Sequence, residues 1–426
     1  MDKMRTHLLT LFFFLLPWQT RYIFNAVPVQ GEAMQFGIMS IHITEIILLG
    51  AMLIVGKMKF HERTARVRTL TLVLVAIAFV TTLTSPYLGV SLTQWMHLVF
   101  AMLLFFALLD TRINLRTVMT GFVAGLIGPA ILGIYQYISG GSPASSVLGL
   151  AQRSAVEAGD AVMQMNGERT LRAYGSFPHP NIFGGYLAVG IVTLLHLANT
   201  VRRKYDMFWV YIGTLILLVF GIVLTFSRSA WLGLALAAIV SVMVIYMKRT
   251  NLARKLVVPV AFIFIAASLF ITFGTDLANI RPGSDTDFES RSIDERASQY
   301  EEFWGVFEGQ WILGNGIGSY ALMDSIVHPE KDWWIHQPIH NVFLLVLAEM
   351  GLLGALALLA WSSTIDKMNF ARFPNREAIA AFAMGNVVLM ILFFDHYIWS
   401  SWAGLALIAY VMALTVRLGE ENEIEK

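Results

Sequence analysis

Twelve runs of apolar residues, each near the length that crosses a bilayer, dominate the chain. They fall at roughly 7–24, 37–56, 69–88, 94–109, 116–138, 183–199, 208–226, 229–247, 256–273, 340–363, 376–394 and 397–416. A bilayer core needs about 20 mostly apolar residues per helix. Of the 426 residues, 57% are hydrophobic and only 14% are charged, whereas ordinary soluble domains carry about 25% charge. Mean hydropathy is +0.64. A soluble enzyme, a secreted disulfide scaffold and a disordered chain are excluded on these grounds. An outer-membrane barrel would alternate polar and apolar residues, and these runs do not. The expected fold is all-α: a polytopic integral membrane protein of about twelve transmembrane helices, forming one membrane domain over 1–426. Lys3 and Arg5 precede the first run as in a signal peptide. Pro17, Trp18 and Arg21 follow it without a small-x-small cleavage site, so the run reads as a retained helix.

The formal net charge of +1 names no partner. No basic face of the kind that binds nucleic acid is visible. The chain has no Cys, hence no thiolate zinc site and no cysteine nucleophile. Basic residues do set an orientation. With the N-terminus inside, about 21 of the 30 Lys and Arg fall in inner segments, and twelve spans then leave both termini cytoplasmic. The nine left outside are Arg21, Arg153, Arg169, Arg172, Arg228, Arg281, Arg291, Arg296 and Lys331. Eight of these are Arg, the side chain whose planar fork matches phosphate oxygens.

Two outer loops are long, 139–182 and 274–339, and loops beyond about 12–15 residues are uncommon unless functional. Both are expected to contain short helices. The second spaces Phe288, Ile293, Tyr300, Phe303, Trp304 and Phe307 as an amphipathic helix near the interface would.

Three segments attract attention. Arg228, in Thr225-Phe226-Ser227-Arg228-Ser229, sits at a tight outer turn between two spans. It either snorkels to head groups or contacts an anion, and its place against the positive-inside bias favours the anion. His340 and Asn341 stand where the large loop meets the tenth span. The histidine is a proton acceptor or a satisfied structural residue. Arg172 opens a run through Tyr174-Gly175-Ser176-Phe177-Pro178-His179-Pro180-Asn181, whose Gly and Pro imply a defined turn. Asp395-His396, between the last two spans, reads as a plain helix-end turn in preference to a sugar contact or proton relay. His179, His328 and His336 match no metal-ligand spacing, so no metal or other cofactor is expected.

Taken together, the Arg172–Asn181 segment, Thr-Phe-Ser-Arg-Ser at 225–229, Trp304, Leu313-Gly314-Asn315-Gly316-Ile317-Gly318, His340-Asn341 and Glu349-Met350-Gly351-Leu352-Leu353-Gly354 resemble the O-antigen ligase and O-antigen polymerase superfamily of bacterial membrane glycosyltransferases. The resemblance runs from about 172 to 355. It implies a GT-C-like membrane fold in the bacterial inner membrane with the active site facing the periplasm. It also implies transfer of a glycan from undecaprenyl diphosphate to lipid A-core or another glycan, independent of metal. By resemblance, Arg228 and Arg296 hold the diphosphate, with Arg291 competing for the second position, and His340 is the general base. Arg172, His179, Asn181 and Asn341 join the substrate-binding set. The partners implied are the carrier-linked donor, the glycan acceptor and membrane lipid. A polymerase joining carrier-linked units is the alternative within the family. A polytopic transporter or glycolipid flippase is the alternative outside it.

Overall fold

A computed structural model describes residues 2–157, 159–165, 168–200, 205–247, 298–370, 372 and 376–418. The helices are α1 (Asp2–Leu15), α2 (Ile43–Val55), α3 (Ala65–Leu83), α4 (Leu88–Leu109), α5 (Leu115–Ser139), α6 (Pro180–Thr200), α7 (Tyr205–Thr225) and α8 (Arg228–Met247). Then come α9, described over 298–307, α10 (Tyr320–Val327), α11 (Val342–Phe370), α12 (Arg376–Phe394), α13 (Tyr397–Ser400) and α14 (Trp402–Arg417). Among the described residues, seven helices are long and apolar enough to cross a membrane, and three more are apolar but shorter. The chain is therefore a multi-pass helical membrane protein. The predicted span at 256–273 lies outside the described residues.

The first two predicted spans need correction. α1 stops at Leu15, ahead of Pro17, and α2 starts only at Ile43. Between them β1 (Arg21–Val29) and β2 (Glu32–His42) form an antiparallel hairpin. Val29 pairs with Glu32, leaving Gln30-Gly31 as a two-residue loop with φ of 53° and 87°. Two positive φ values give the turn whose twist suits a tight hairpin. The apolar residues of both strands lengthened the hydrophobic runs and hid the turn between them. The loop 139–182 also departs from expectation. Among its described residues it holds two small antiparallel pairs, Gly141–Ser142 with Arg153–Ser154 and Val162–Met165 with Glu168–Leu171, where short helices were expected.

α14 is the central helix. Nearly all its residues are buried, from Trp402 to Arg417, as expected of a helix apolar on every face. In lipid no hydrophobic force drives helices together, so packing and hydrogen bonds must do so. Phe13, Phe122, Tyr186 and Tyr410 interlock around it at centroid distances of 4.6–6.1 Å. The Tyr186 hydroxyl donates to the Ala403 carbonyl (2.7 Å), and Trp402 Nε1 to Thr44 Oγ1 (2.8 Å). At one end of the bundle Asp110 gathers three arginines. Its carboxylate meets Arg5 (3.5 Å) and Arg112 (2.5 Å), and its carbonyl accepts from Arg417 (2.6 Å). The start of α1 and the end of α14 thus lie on the same side of the bundle.

α11 is broken at Gly351, where φ is 63° and ψ is −168°. Such a break strands backbone groups that lipid cannot satisfy. The segment 311–316 supplies their partners. Asn315 and Gly316 N–H donate to the carbonyls of Ala348 (3.0 Å) and Glu349 (2.9 Å). Leu352 and Leu353 N–H donate to those of Trp311 (2.9 Å) and Ile312 (3.3 Å). A Cβ on Gly351 would lie 2.2 Å from the Ile312 oxygen, and one on Gly316 2.3 Å from Ser85 Cβ. The Gly-rich run 313–318 is therefore a backbone splint for the broken helix. The buried Glu349 completes it, its two oxygens accepting from Trp399 Nε1 (2.8 Å) and Tyr320 N–H (3.4 Å).

Candidate active site

Four segments distant in sequence meet at the other end of the bundle. α14 runs from this end, where Ser401 caps it by accepting from Gly404 N–H (3.1 Å), to the Asp110 end. The four are the 172–181 loop, the α7–α8 turn, His340-Asn341 and Asp395-His396.

The α7–α8 turn is tight because Phe226 adopts φ of +49°, a conformation that non-glycine residues rarely take. Its neighbours hold it there. The last carbonyls of α7, which no helical N–H can reach, accept from Trp231 Nε1 onto Ile222 (3.1 Å), Ala173 N–H onto Leu224 (2.9 Å) and Arg172 Nε onto Thr225 (2.8 Å). Arg228 thus opens α8, where backbone N–H groups already favour an anion. α6 begins beside it, at Pro180. Its Gly184 and Gly185 let this turn and the α13 region approach, since Cβ atoms there would fall 2.7 Å from Ser227 Cβ and 1.9 Å from the Tyr397 hydroxyl.

Arg172 links the segments through one amide. Its Nη2 donates to Asn181 Oδ1 (2.7 Å), and Asn181 Nδ2 donates to Asp395 Oδ2 (2.7 Å). Arginine can only donate and an ionised carboxylate only accept, so the orientation of the Asn181 amide is chemically fixed. The other oxygen of Asp395 accepts from His396 N–H (2.9 Å). The His396 and His340 rings meet edge to face, 5.0 Å apart, and Phe36 of β2 packs on His396 at 5.5 Å.

His340 has a defined tautomer. Gln299 Oε1, on α9, accepts from the His340 backbone N–H (3.2 Å) and lies 3.0 Å from its Nδ1. An atom that accepts from a backbone N–H is the amide oxygen, so Nδ1 carries the proton and Nε2 is the basic nitrogen. Asn341 caps α11, its Oδ1 accepting from Phe343 (3.0 Å) and Leu344 (3.2 Å) N–H.

The charges reinforce one another. Desolvation first, and then nearby Arg228, lower the Arg172 pKa to about 10 against the opposing pull of Tyr174 and Asp395. His179 exposes much of its surface yet is crowded by protein, as on a concave wall. Desolvation and the Arg172 charge hold it down, to about 3. Desolvation and His340 do the same for His396, also to about 3. Burial pushes Asp395 up, but His396, His340, His179 and the Asn181 hydrogen bond outweigh it and keep the carboxyl below its usual range. The arrangement is an ionised carboxylate ringed by imidazoles, with two arginines beside it.

Of the sequence-predicted residues, Arg172, Arg228, His179, Asn181, His340 and Asn341 come together here. Arg291 and Arg296 lie outside the described residues. Asp395 and His396 are integral to the cluster, although their sequence context read as a plain turn. Gln299 and Phe36 carried no sequence signal. His340, Asp395 and His396 each offer a donor atom within 4.8 Å of the others, so among the described residues of the site these three could hold a cation.

A family model described as O-antigen ligase matches residues 213–359, about a third of the chain and the part that carries Arg228 and His340. No curated protein matches the chain. Over those residues the chain is similar to the O-antigen ligases, and the match supports a membrane glycan-transfer enzyme in general.

Proposed function

We propose that the protein is an O-antigen ligase-like glycosyltransferase of the bacterial inner membrane. It takes a glycan from undecaprenyl diphosphate and joins it to lipid A-core or another surface glycan on the periplasmic side. The reading rests on the convergence of Arg172 and Arg228 with His340, Asp395 and His396 at one end of the bundle. In this reading that end faces the periplasm and both termini are cytoplasmic.

The chemistry follows from the groups. The acceptor hydroxyl attacks the anomeric carbon and passes its proton to His340 Nε2. The bond from that carbon to the diphosphate oxygen breaks, and its electron pair stays on the departing undecaprenyl diphosphate. Arg228, the α8 N-terminus and Arg172 stabilise the charge that develops there. Arg296, or Arg291 in its place, supplies the further diphosphate contact. Attack opposite the leaving group inverts the anomeric configuration. His179 and Asn341 line the approach to the glycan, and Asn181 ties the arginine side to the carboxylate side. None of these steps calls for a metal.

The test is transfer by purified protein from a defined undecaprenyl-diphosphate glycan. A ligase joins it to lipid A-core and leaves the polymer carrier-bound when deleted. Growth of the chain on the carrier would instead assign the polymerase reaction. Movement of the labelled lipid with no new glycosidic bond would overturn the enzyme reading in favour of transport.

A further inference from the structure

A second cluster of ionisable groups lies away from the site, inside the bundle. It comprises His42, where β2 ends, Glu45 in the first turn of α2, and His97 midway along α4. Their exposures are 7%, 0% and 5%. α4 begins at Leu88, so at about 1.5 Å per residue His97 lies roughly 13 Å below its outer end, near the middle of a bilayer core about 30 Å thick. Ionisable groups at that depth are costly and usually serve a specific role.

The three side chains form a donor set. One nitrogen from each imidazole and one Glu45 oxygen all lie within 4.8 Å of one another. His97 Nδ1 is 2.5 Å from Glu45 Oε1, and His42 Nδ1 is 3.5 Å from Glu45 Oε2. Donors on a tetrahedral ion with bonds of about 2.0–2.1 Å stand roughly 3.4 Å apart, and two imidazoles on it have centroids about 5 Å apart. The His42 and His97 rings are 5.6 Å apart and inclined at 67°. The His42 Nδ1 atom is buried without a hydrogen bond of acceptable geometry. Trp402 lines both rings at 6.4 Å, but its Nε1 is committed to Thr44. It therefore walls the cluster without competing for Glu45.

We infer that His42, Glu45 and His97 bind a divalent transition-metal ion, with Zn2+ the best match to two imidazoles and a carboxylate. Binding displaces the proton shared by His97 and Glu45 and leaves a fourth position for water. The ion pins the root of the β1–β2 hairpin to α4. The same hairpin carries Phe36 against His396, so the metal steadies one wall of the candidate active site from within the membrane.

The full-length protein in nanodiscs is stripped with chelator, reloaded with Zn2+ and desalted, and its metal content is measured. About one zinc per chain is expected, with four-coordinate visible absorption when Co2+ replaces it. Retention falls about tenfold or more in His42→Ala, Glu45→Gln and His97→Ala, while His340→Ala and His396→Ala retain wild-type metal. Wild-type protein that keeps no stoichiometric metal overturns the inference without reference to any variant's folding. So does loss of metal in the His340 or His396 variant alone, which would assign the ion to the other cluster.

Discussion

Asp395→Asn is the sharpest perturbation of the proposed site because it preserves shape and removes one acceptor. The buried carboxylate accepts from Asn181 Nδ2 at 2.7 Å and from His396 N–H at 2.9 Å. An asparagine offers one oxygen. If that oxygen keeps His396, its NH2 faces the Asn181 NH2. The Asn181 amide then either tolerates two opposed donors or flips and turns a donor toward Arg172. One charge-assisted hydrogen bond is lost on either route, worth about 1.5–3 kcal/mol. Transmitted in full to the transition state, that is roughly a 10- to 150-fold fall in kcat/KM. The assay is glycan transfer from a defined lipid-diphosphate donor, with protein abundance and thermal unfolding measured alongside. Because the loss travels through Asn181, Asp395→Asn and Arg172→Gln should be non-additive, with a coupling of at least about 0.5 kcal/mol. Wild-type turnover in Asp395→Asn, or strict additivity of the pair, would refute the relay from arginine to carboxylate.

Arg228→Ala should lower transfer by about 10²–10³ with membrane abundance unchanged. His340→Gln keeps a hydrogen-bonding side chain but has no basic nitrogen, so transfer should fall nearly as far as in His340→Ala; full rescue by Gln would remove the base role. Acidification should destabilise the fold. His179 and His396 are held down from 6.5 to about 3, so between those values the unfolded chain binds protons that the native one refuses. Stability is intact above about pH 6.5 and declines toward pH 3, more through His396 than through the better-solvated His179. A melting temperature that is flat or rising from pH 7 to 4 would contradict this. Gly351→Ala places a Cβ 2.2 Å from the Ile312 oxygen at a residue with φ of 63°. It should cost more than about 2 kcal/mol and reduce folded yield, whereas Gly385→Ala, which meets no atom within 4 Å, should be silent.

Hydropathy revealed the helical membrane class because lipid demands long apolar helices, and length is readable residue by residue. It misplaced the first two spans because the apolar residues at the start of β1 and the end of β2 run on into the flanking helices and lengthen their apolar stretches. Arg228 and His340 were legible because each interrupts apolar sequence with a group that lipid does not tolerate. Asp395 and His396 were visible as residues but not as partners, since Asn181, 214 positions away, supplies the contact. Gln299, which sets the His340 tautomer, sits in an ordinary amphipathic helix. Likewise His42, Glu45 and His97 converge only once a hairpin directs the start of α2 toward the middle of α4. Spacing along the chain carries no trace of such contacts, because they depend on tertiary packing.

The most direct measurement is reconstitution of transfer with wild-type, Arg228→Ala and His340→Ala protein, a labelled undecaprenyl-diphosphate glycan and lipid A-core. Wild-type protein should form a new glycosidic bond and release undecaprenyl diphosphate, and the well-folded variants should do so at least about a hundredfold more slowly. Normal transfer by both variants, or translocation of intact donor without bond formation, would contradict it.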